Sequence, residues 1–395
     1  MQCVPIQLFA MGIVVLAAAS VQVSAWTHPG TSMGGSRTRG RTATNVHTHT
    51  SLTRNLYRKA VQDLSSSANN NINNNNKMSG IGFVGIGIMG EGMAARLLTE
   101  KIAGTTEKPL IIWNRTTAKC TAFVETYGKD YTIEIKESAK EVVEACGITY
   151  CMLSTPEASK AVFEAENVGV LAGVSEGKSI VDCATLAEAD MKRMSEAVVG
   201  KGGRFLEAPV SGSKVPAAKG VLIFLCAGNK ALFDEIADNG FNVMGKASHF
   251  FNEEVGYGTR AKLVVNSLMG TMVAAFSENL ALAENVGLDP STIIEVISQG
   301  AIASPVYALK GPKMVAKDHA PNFPLKHAHK DMKLASDMAK AAGVEFSVND
   351  KAEELFAKAR SDEGLNVADQ DFSAVFEIVH KESSGDFSKK RKRSD

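Results

Sequence analysis

The sequence predicts an α/β, doubly wound N-terminal domain followed by an all-α C-terminal domain. Three features of the chain point there. The apolar run Ile81 to Val84 leads straight into G-x-G-x-x-G at Gly85, Gly87 and Gly90, and a helix opens over Met93 to Leu98. Further short apolar runs, PLIIWNRT (109–116), ITYCMLS (148–154) and SIVDCAT (179–185), alternate with helical stretches at Ser138 to Ala145 and Glu188 to Val198. That alternation is the mark of parallel strands joined by crossover helices. From Gly258 onward strand signals are few, and helical runs follow at Ser291 to Gln299, Lys330 to Ala342 and Asp350 to Arg360.

The glycine turn makes the first domain Rossmann-type. Gly85 permits a tight turn, Gly87 lets a pyrophosphate approach the backbone, and Gly90 lets strand and helix pack closely. Ile88 and Met89 belong to the same turn, and the first N–H groups of the helix face the phosphates. The second strand ends in Asn114-Arg115-Thr116. A carboxylate there would accept from a ribose 2′-hydroxyl and repel a 2′-phosphate, whereas a guanidinium pairs with the phosphate. The charge therefore favours NADPH over NADH. Loops after the later strands face the same crevice, which makes Leu153, Ser154, Thr155 and Thr185 candidate cofactor contacts.

The chain has 395 residues, with Lys plus Arg and Asp plus Glu balanced at 43 each. That balance gives no argument for a nucleic-acid or membrane partner. Six cysteines include no CxxC pair and sit mostly beside apolar runs, as reduced core residues do. Residues 1–25 carry no charged side chain and read as a signal-peptide-like segment. Residues 26–77 are rich in Arg, Ser and Thr, nearly free of acid, and end in the Asn-rich NNNINNNNK, which reads as a transit-like stretch and linker. The order resembles a bipartite plastid leader, with a mitochondrial or secretory destination as the alternative. The remaining divisions are a nucleotide domain over 78–256, a helical domain over 257–382, and a basic tail over 383–395. The tail is expected to be solvated and disordered.

GFVGIGIMG, WNRT, EAPVSGSKVPA, GTRAKLVVN and FPLKHAHKDMKLA occur in order across roughly residues 80–380. Together they resemble the β-hydroxyacid dehydrogenase (3-hydroxyisobutyrate dehydrogenase-related) family, and within it the glyoxylate/succinic semialdehyde reductase branch. The resemblance implies that Ser211, Gly212 and Ser213 bind a substrate carboxylate, that Lys262 is the catalytic acid, and that Asn266 is a substrate-binding partner. It implies that Phe323 lines the substrate pocket, and that Lys330, with Asp331 as its organising neighbour, contacts the cofactor. One departure is Ala184, where the branch usually has Ser. Gly258, Lys262 and Asn266 fall at i, i+4 and i+8, near one helix face. Gly258 reads as leaving room for a ligand one turn before the lysine, and the apolar neighbours of Lys262 lower its pKa towards neutrality. His327 and His329, at i and i+2, point apart and make no metal site.

The implied activity is NADPH-dependent reduction of a small aldehyde acid. Alternatives are a 3-hydroxyisobutyrate or tartronate semialdehyde enzyme, an imine reductase, or a non-catalytic interaction protein like related chromatin-bound domains that lose the lysine. The family also assembles through its helical domain, so a homo-oligomer is implied. Met269, Met272 and Phe276 are open between core and interface. The breadth of apolar residues from Gly258 to Val286 predicts burial of that helix on most sides.

Overall fold

The structure is a computed structural model and describes residues 80–391. The sequence readings of residues 1–25 and 26–77 lie outside the described residues, as does the end of the basic tail.

Strand β1 (Ile81–Val84) is buried throughout because it is central. β2 (Leu110–Trp113) pairs with it on one side and β4 (Ile148–Cys151) on the other, both parallel. β3 (Ile133–Ile135) extends the sheet beyond β2, and β5 (Ser179–Asp182) then β6 (Arg204–Glu207) extend it beyond β4. The order β3-β2-β1-β4-β5-β6 is doubly wound. Helices cover both faces: α1 (Gly90–Thr99), α2 (Thr117–Tyr127), α3 (Ala139–Ala145), α4 (Pro156–Phe163), α5 (Val170–Gly173) and α6 (Glu188–Gly200). Phe83, Leu110, Tyr150 and Leu206 fill one layer, and Val84, Ile111, Cys151 and Phe205 the other. Strands buried on both faces need continuous apolar runs, and these have them.

Beyond β6 the sheet turns mixed, where the sequence predicts parallel strands. Ala208-Pro209 interrupts the strand and β7 (Val210–Ser211) resumes it. β8 (Leu222–Gly228) then runs antiparallel to both, and β9 (Gly245–Asn252) adds parallel to β8. The cause is the connector. Between β7 and β8 lies only the short helix α7 (Lys214–Ala218), whereas a parallel return needs a crossover of about a dozen residues or more. β8 leads through α8 (Lys230–Ile236), a π turn at Ala237–Phe241 and α9 (Asn242–Met244) to β9.

The second half is helical. α10 (Tyr257–Asn285) is its spine, packed by α11 (Pro290–Gln299), α12 (Pro305–Ala316), α13 (Leu325–Ala341), α14 (Ser347–Ser361) and α15 (Val375–Arg391). Val273, Phe276 and Leu280 of α10 meet Met332, Phe356 and Phe376 in its core. Phe276 is thus a core residue, while Met269 is only partly buried against that core. Burial of α10 on most sides is not what the chain achieves by itself: Val264, Leu268 and Leu282 are exposed, and α11 buries no residue at all. Among the described residues no other element covers that face. The tail also differs from expectation. α15 continues as helix to Arg391. Cys120, Cys146, Cys151, Cys183 and Cys226 are free and buried, as their apolar surroundings predict.

Candidate active site

A cleft of about 360 Å³ opens at the C-terminal ends of the central strands. Gly85, Gly87, Ile88, Met89 and Gly90 form one wall. Gly85 has φ +105°, and a side chain there would run into the Met152 carbonyl at 2.4 Å. At Gly90 a Cβ would lie 1.9 Å from the Gly85 carbonyl, so strand and helix touch through backbone. Gly87 is the opposite case: a Cβ there meets nothing within 4 Å, so its backbone is open to the cleft. α1 has no side-chain cap; the Glu91 N–H donates to the Gly87 carbonyl at 3.0 Å, which leaves those of Gly90 and Gly92 for an anion. This cradle fits a pyrophosphate.

Asn114, Arg115 and Thr116 line the next stretch of the cleft. The Asn114 amide donates to the Thr116 carbonyl at 3.0 Å and closes the turn. Lys119, in the first turn of α2, lines the cleft beside them. Sequence reading missed this second cation; its place in the first turn of the helix that follows Asn114-Arg115-Thr116 was the usable signal. Leu153, Ser154 and Thr185 also line the cleft. Thr155 does not: its hydroxyl accepts from the Ala158 N–H at 3.1 Å and caps α4. At Ala184 the backbone N–H donates to Asp182 Oδ1 at 2.8 Å.

The helical domain roofs the cleft with Phe323, Lys326, His327, Lys330, Asp331 and Asp369. Behind this roof a hydrogen-bonded chain runs inwards. Lys262 Nζ donates to Asn266 Oδ1 at 2.8 Å, and Asn266 Nδ2 donates to Asp331 Oδ2 at 2.7 Å. The Lys330 ammonium pairs with the other carboxylate oxygen of Asp331 at 2.9 Å and donates to the Thr185 carbonyl, which ties α13 to the loop after β5. Lys262 is 5% exposed. Burial, with the nearby Lys330 charge, brings its pKa down to about 8 against the pull of Asp331. Lys262 and Asn266 therefore stand one residue behind the cleft wall, joined to it through Asp331.

Phe323 reaches the cleft because its loop is anchored from below. The Asn322 and Phe323 N–H groups donate to Asp371 Oδ2 at 3.1 and 3.2 Å. Asp371 is itself buried against Lys310 at 2.7 Å, and Phe323 packs edge-on to Phe372. Asp371 and Phe372 together thus shape the cleft from behind Phe323. Ser211, Gly212 and Ser213 do not line the cleft. They pass beside its floor, where the Lys214 N–H approaches the Asn322 carbonyl at 3.5 Å. Gly258 differs from its sequence reading. The space beside it is filled by the Leu225 carbonyl and the Glu207 side chain, so it leaves no room for a ligand.

His329 is taken by Glu353 at 2.6 Å, while His327 faces the cleft with its pKa pushed down to about 4 by burial and by Lys330. Among the described residues no cluster of His, Cys, Asp and Glu could hold a metal ion.

A glycine cradle for pyrophosphate, a cationic ribose end and a roof from an all-helical second domain define a nicotinamide-dinucleotide-dependent oxidoreductase. Residues 80–258 match the family described as the NAD binding domain of 6-phosphogluconate dehydrogenase, and residues 256–379 that described as NAD-binding of NADP-dependent 3-hydroxyisobutyrate dehydrogenase. The chain is 43% identical over 299 residues to glyoxylate/succinic semialdehyde reductase 1 of Arabidopsis thaliana, covering 76% of this chain and 98% of that one. It is equally identical to the chloroplastic reductase 2 of the same plant, with 79% of that chain covered. Crystalline 3-hydroxyisobutyrate dehydrogenase from Salmonella typhimurium shares the fold at a TM-score of 0.66 and 22% identity, over 75% of this chain and 99% of that one. The protein belongs to the 3-hydroxyisobutyrate dehydrogenase-related family and is an NADP(H)-binding oxidoreductase acting on a hydroxyl or aldehyde carbon.

Proposed function

We propose that the protein reduces a small aldehyde acid with NADPH, taking glyoxylate to glycolate, succinic semialdehyde to 4-hydroxybutyrate, or both, with Lys262 as proton donor. The observation that carries this reading is the buried ammonium of Lys262, held at the cleft through Asn266 and Asp331. The names of the Arabidopsis relatives support the substrate class.

NADPH supplies the hydride when bound. Lys262 gives the developing alkoxide a proton, which a pKa near 8 allows at neutral pH. Asn266 fixes the ammonium by accepting one of its three protons, which leaves two for the substrate. Lys330 and Thr185 hold the helical roof onto the nucleotide domain. Arg115 and Lys119 take the 2′-phosphate, and Ser211, Gly212 and Ser213 take the substrate carboxylate. The exposed apolar stripe of α10 and the uncovered α11 support a homo-oligomer. The composition of residues 1–77 supports delivery to a plastid.

Steady-state rates with NADPH against glyoxylate, succinic semialdehyde, tartronate semialdehyde and 3-hydroxyisobutyrate with NADP+ test the assignment. The first two are expected to give the highest kcat/KM. Preference for either of the last two moves the protein to another branch of its family.

A further inference from the structure

We infer that Glu207 is a positioning residue for this reaction: its carboxylate holds the first turn of α10, and thereby Lys262, against the end of the sheet. The inference rests on the reading of Lys262 as proton donor.

Glu207 ends β6 and is fully buried. One carboxylate oxygen accepts from the Gly256 N–H and from the Gly258 N–H at 2.9 Å. The other accepts from the Thr259 N–H at 3.2 Å and the Thr259 hydroxyl at 2.7 Å. The first N–H groups of any helix lack partners inside it, and α10 has no side-chain cap of its own. Here three of these backbone donors converge on one acidic side chain from the nucleotide domain. Burial pushes the Glu207 carboxyl up, while the four donors around it and the positive end of the helix dipole pull the other way, towards the acceptor-only carboxylate.

The local sequence is shaped to this contact. A Cβ at Gly258 would lie 2.4 Å from the Leu225 carbonyl and 3.2 Å from the Glu207 carboxyl carbon. Gly256 takes φ +117° to bring its N–H onto the same oxygen. Glycines at 256 and 258 thus bring the helix start onto a carboxylate. Lys262 lies one helical turn past Gly258, and Glu207 lies on the chain just before the segment Ser211 to Ser213. One side chain therefore joins the strand that leads to the proposed substrate loop with the helix that carries the proposed acid. At the rim, Arg260 grips Glu188 through bonds of 2.7 and 2.6 Å, so the same turn is also fixed from outside.

The test is Glu207→Gln, read by kcat, by the NADPH dissociation constant from fluorescence titration, and by the pH at which reduction declines. Gln keeps the shape but sets amide N–H groups against the Thr259 donors. A small displacement of the ammonium is expected to lower kcat roughly ten- to a hundredfold while NADPH affinity stays within about twofold. The declining limb is expected to move to higher pH as the ammonium becomes better solvated. An unchanged kcat and limb overturns the inference. So does a loss of kcat and NADPH affinity together with the limb unmoved, which marks a purely structural residue. If Glu207→Gln does not fold, Thr259→Val removes one donor, and an expected fall in kcat of roughly threefold replaces it; an unchanged kcat there overturns the inference. Lys262→Ala, measured alongside, separates the two levels. Full activity in Lys262→Ala defeats the reading of the lysine itself, whereas an inactive Lys262→Ala beside an unimpaired Glu207→Gln defeats only the role of Glu207.

Discussion

For Lys262 to act as the proposed proton donor, two demands must meet. A proton donor must be charged at working pH, and it must release its proton readily. Burial and the neighbouring Lys330 reconcile them by bringing the pKa to about 8. Reduction needs the ammonium, so its rate is expected to be flat below pH 8 and to fall above it. Oxidation of the product needs the free amine and is expected to rise through the same pH. Rates in both directions between pH 6 and roughly 10 check this. Stability follows the same group with a definite sign. The unfolded lysine holds its proton more tightly, so this site is expected to contribute a rise in stability with pH between about 8 and 10.5. Arg115 makes a separate claim. It lines the cleft with Lys119 and no carboxylate follows β2, so Arg115→Ala is expected to raise KM for NADPH by roughly tenfold and to leave KM for NADH nearly unchanged. An equal effect on both cofactors removes Arg115 from phosphate recognition.

Among the elements, the loop before α13 shows how the site depends on buried charge. Asp371 accepts from the Asn322, Phe323 and Ser373 N–H groups and pairs with Lys310 out of contact with water. Asp371→Asn leaves the Lys310 ammonium without a counter-charge. It is expected to cost about 3–5 kcal/mol in urea denaturation and to raise KM for the aldehyde as Phe323 loosens. This anchor was hard to read in the sequence. Lys310 and Asp371 are 61 residues apart, and Gly311-Pro312 interrupts the helical pattern of α12, so the helix holding Lys310 went unrecognised. Glu207 was hidden for the same reason, since its partners lie about 50 residues on. The glycine turn and Asn114-Arg115-Thr116 were legible because their chemistry is local. Gly85 and Gly90 answer steric needs set within a few residues or by the adjoining strand, and Gly87 leaves its backbone open to the cleft. Thr155 shows the limit of that local reading, because a Thr followed by Pro at the end of a strand caps a helix as readily as it meets a ligand.

For the whole molecule, the division into a doubly wound half and a helical half was readable from periodicity, and Lys330, bonded to the Thr185 carbonyl, lies at their junction. The antiparallel strands β8 and β9 were not readable, since a short apolar run does not announce the direction in which it pairs. Apolar breadth in α10 was read as burial on most sides, with core and interface left open, and Val264 and Leu268 face outwards. A second copy would cover them. Sedimentation of the wild-type protein is expected to show a dimer or tetramer, and Leu268→Glu, which sets a charge on that stripe, is expected to shift it to monomer. A wild-type monomer contradicts the assembly.

The central claim is that the proton for the new hydroxyl comes from the side chain buried behind Asn266 and Asp331. The most direct measurement is single-turnover reduction of glyoxylate by NADPH-loaded Lys262→Met, with NADPH affinity and folding verified on the same preparation. The expected rate is at least roughly a hundredfold below that of the native chain with NADPH binding intact. A native rate in this variant would contradict the account.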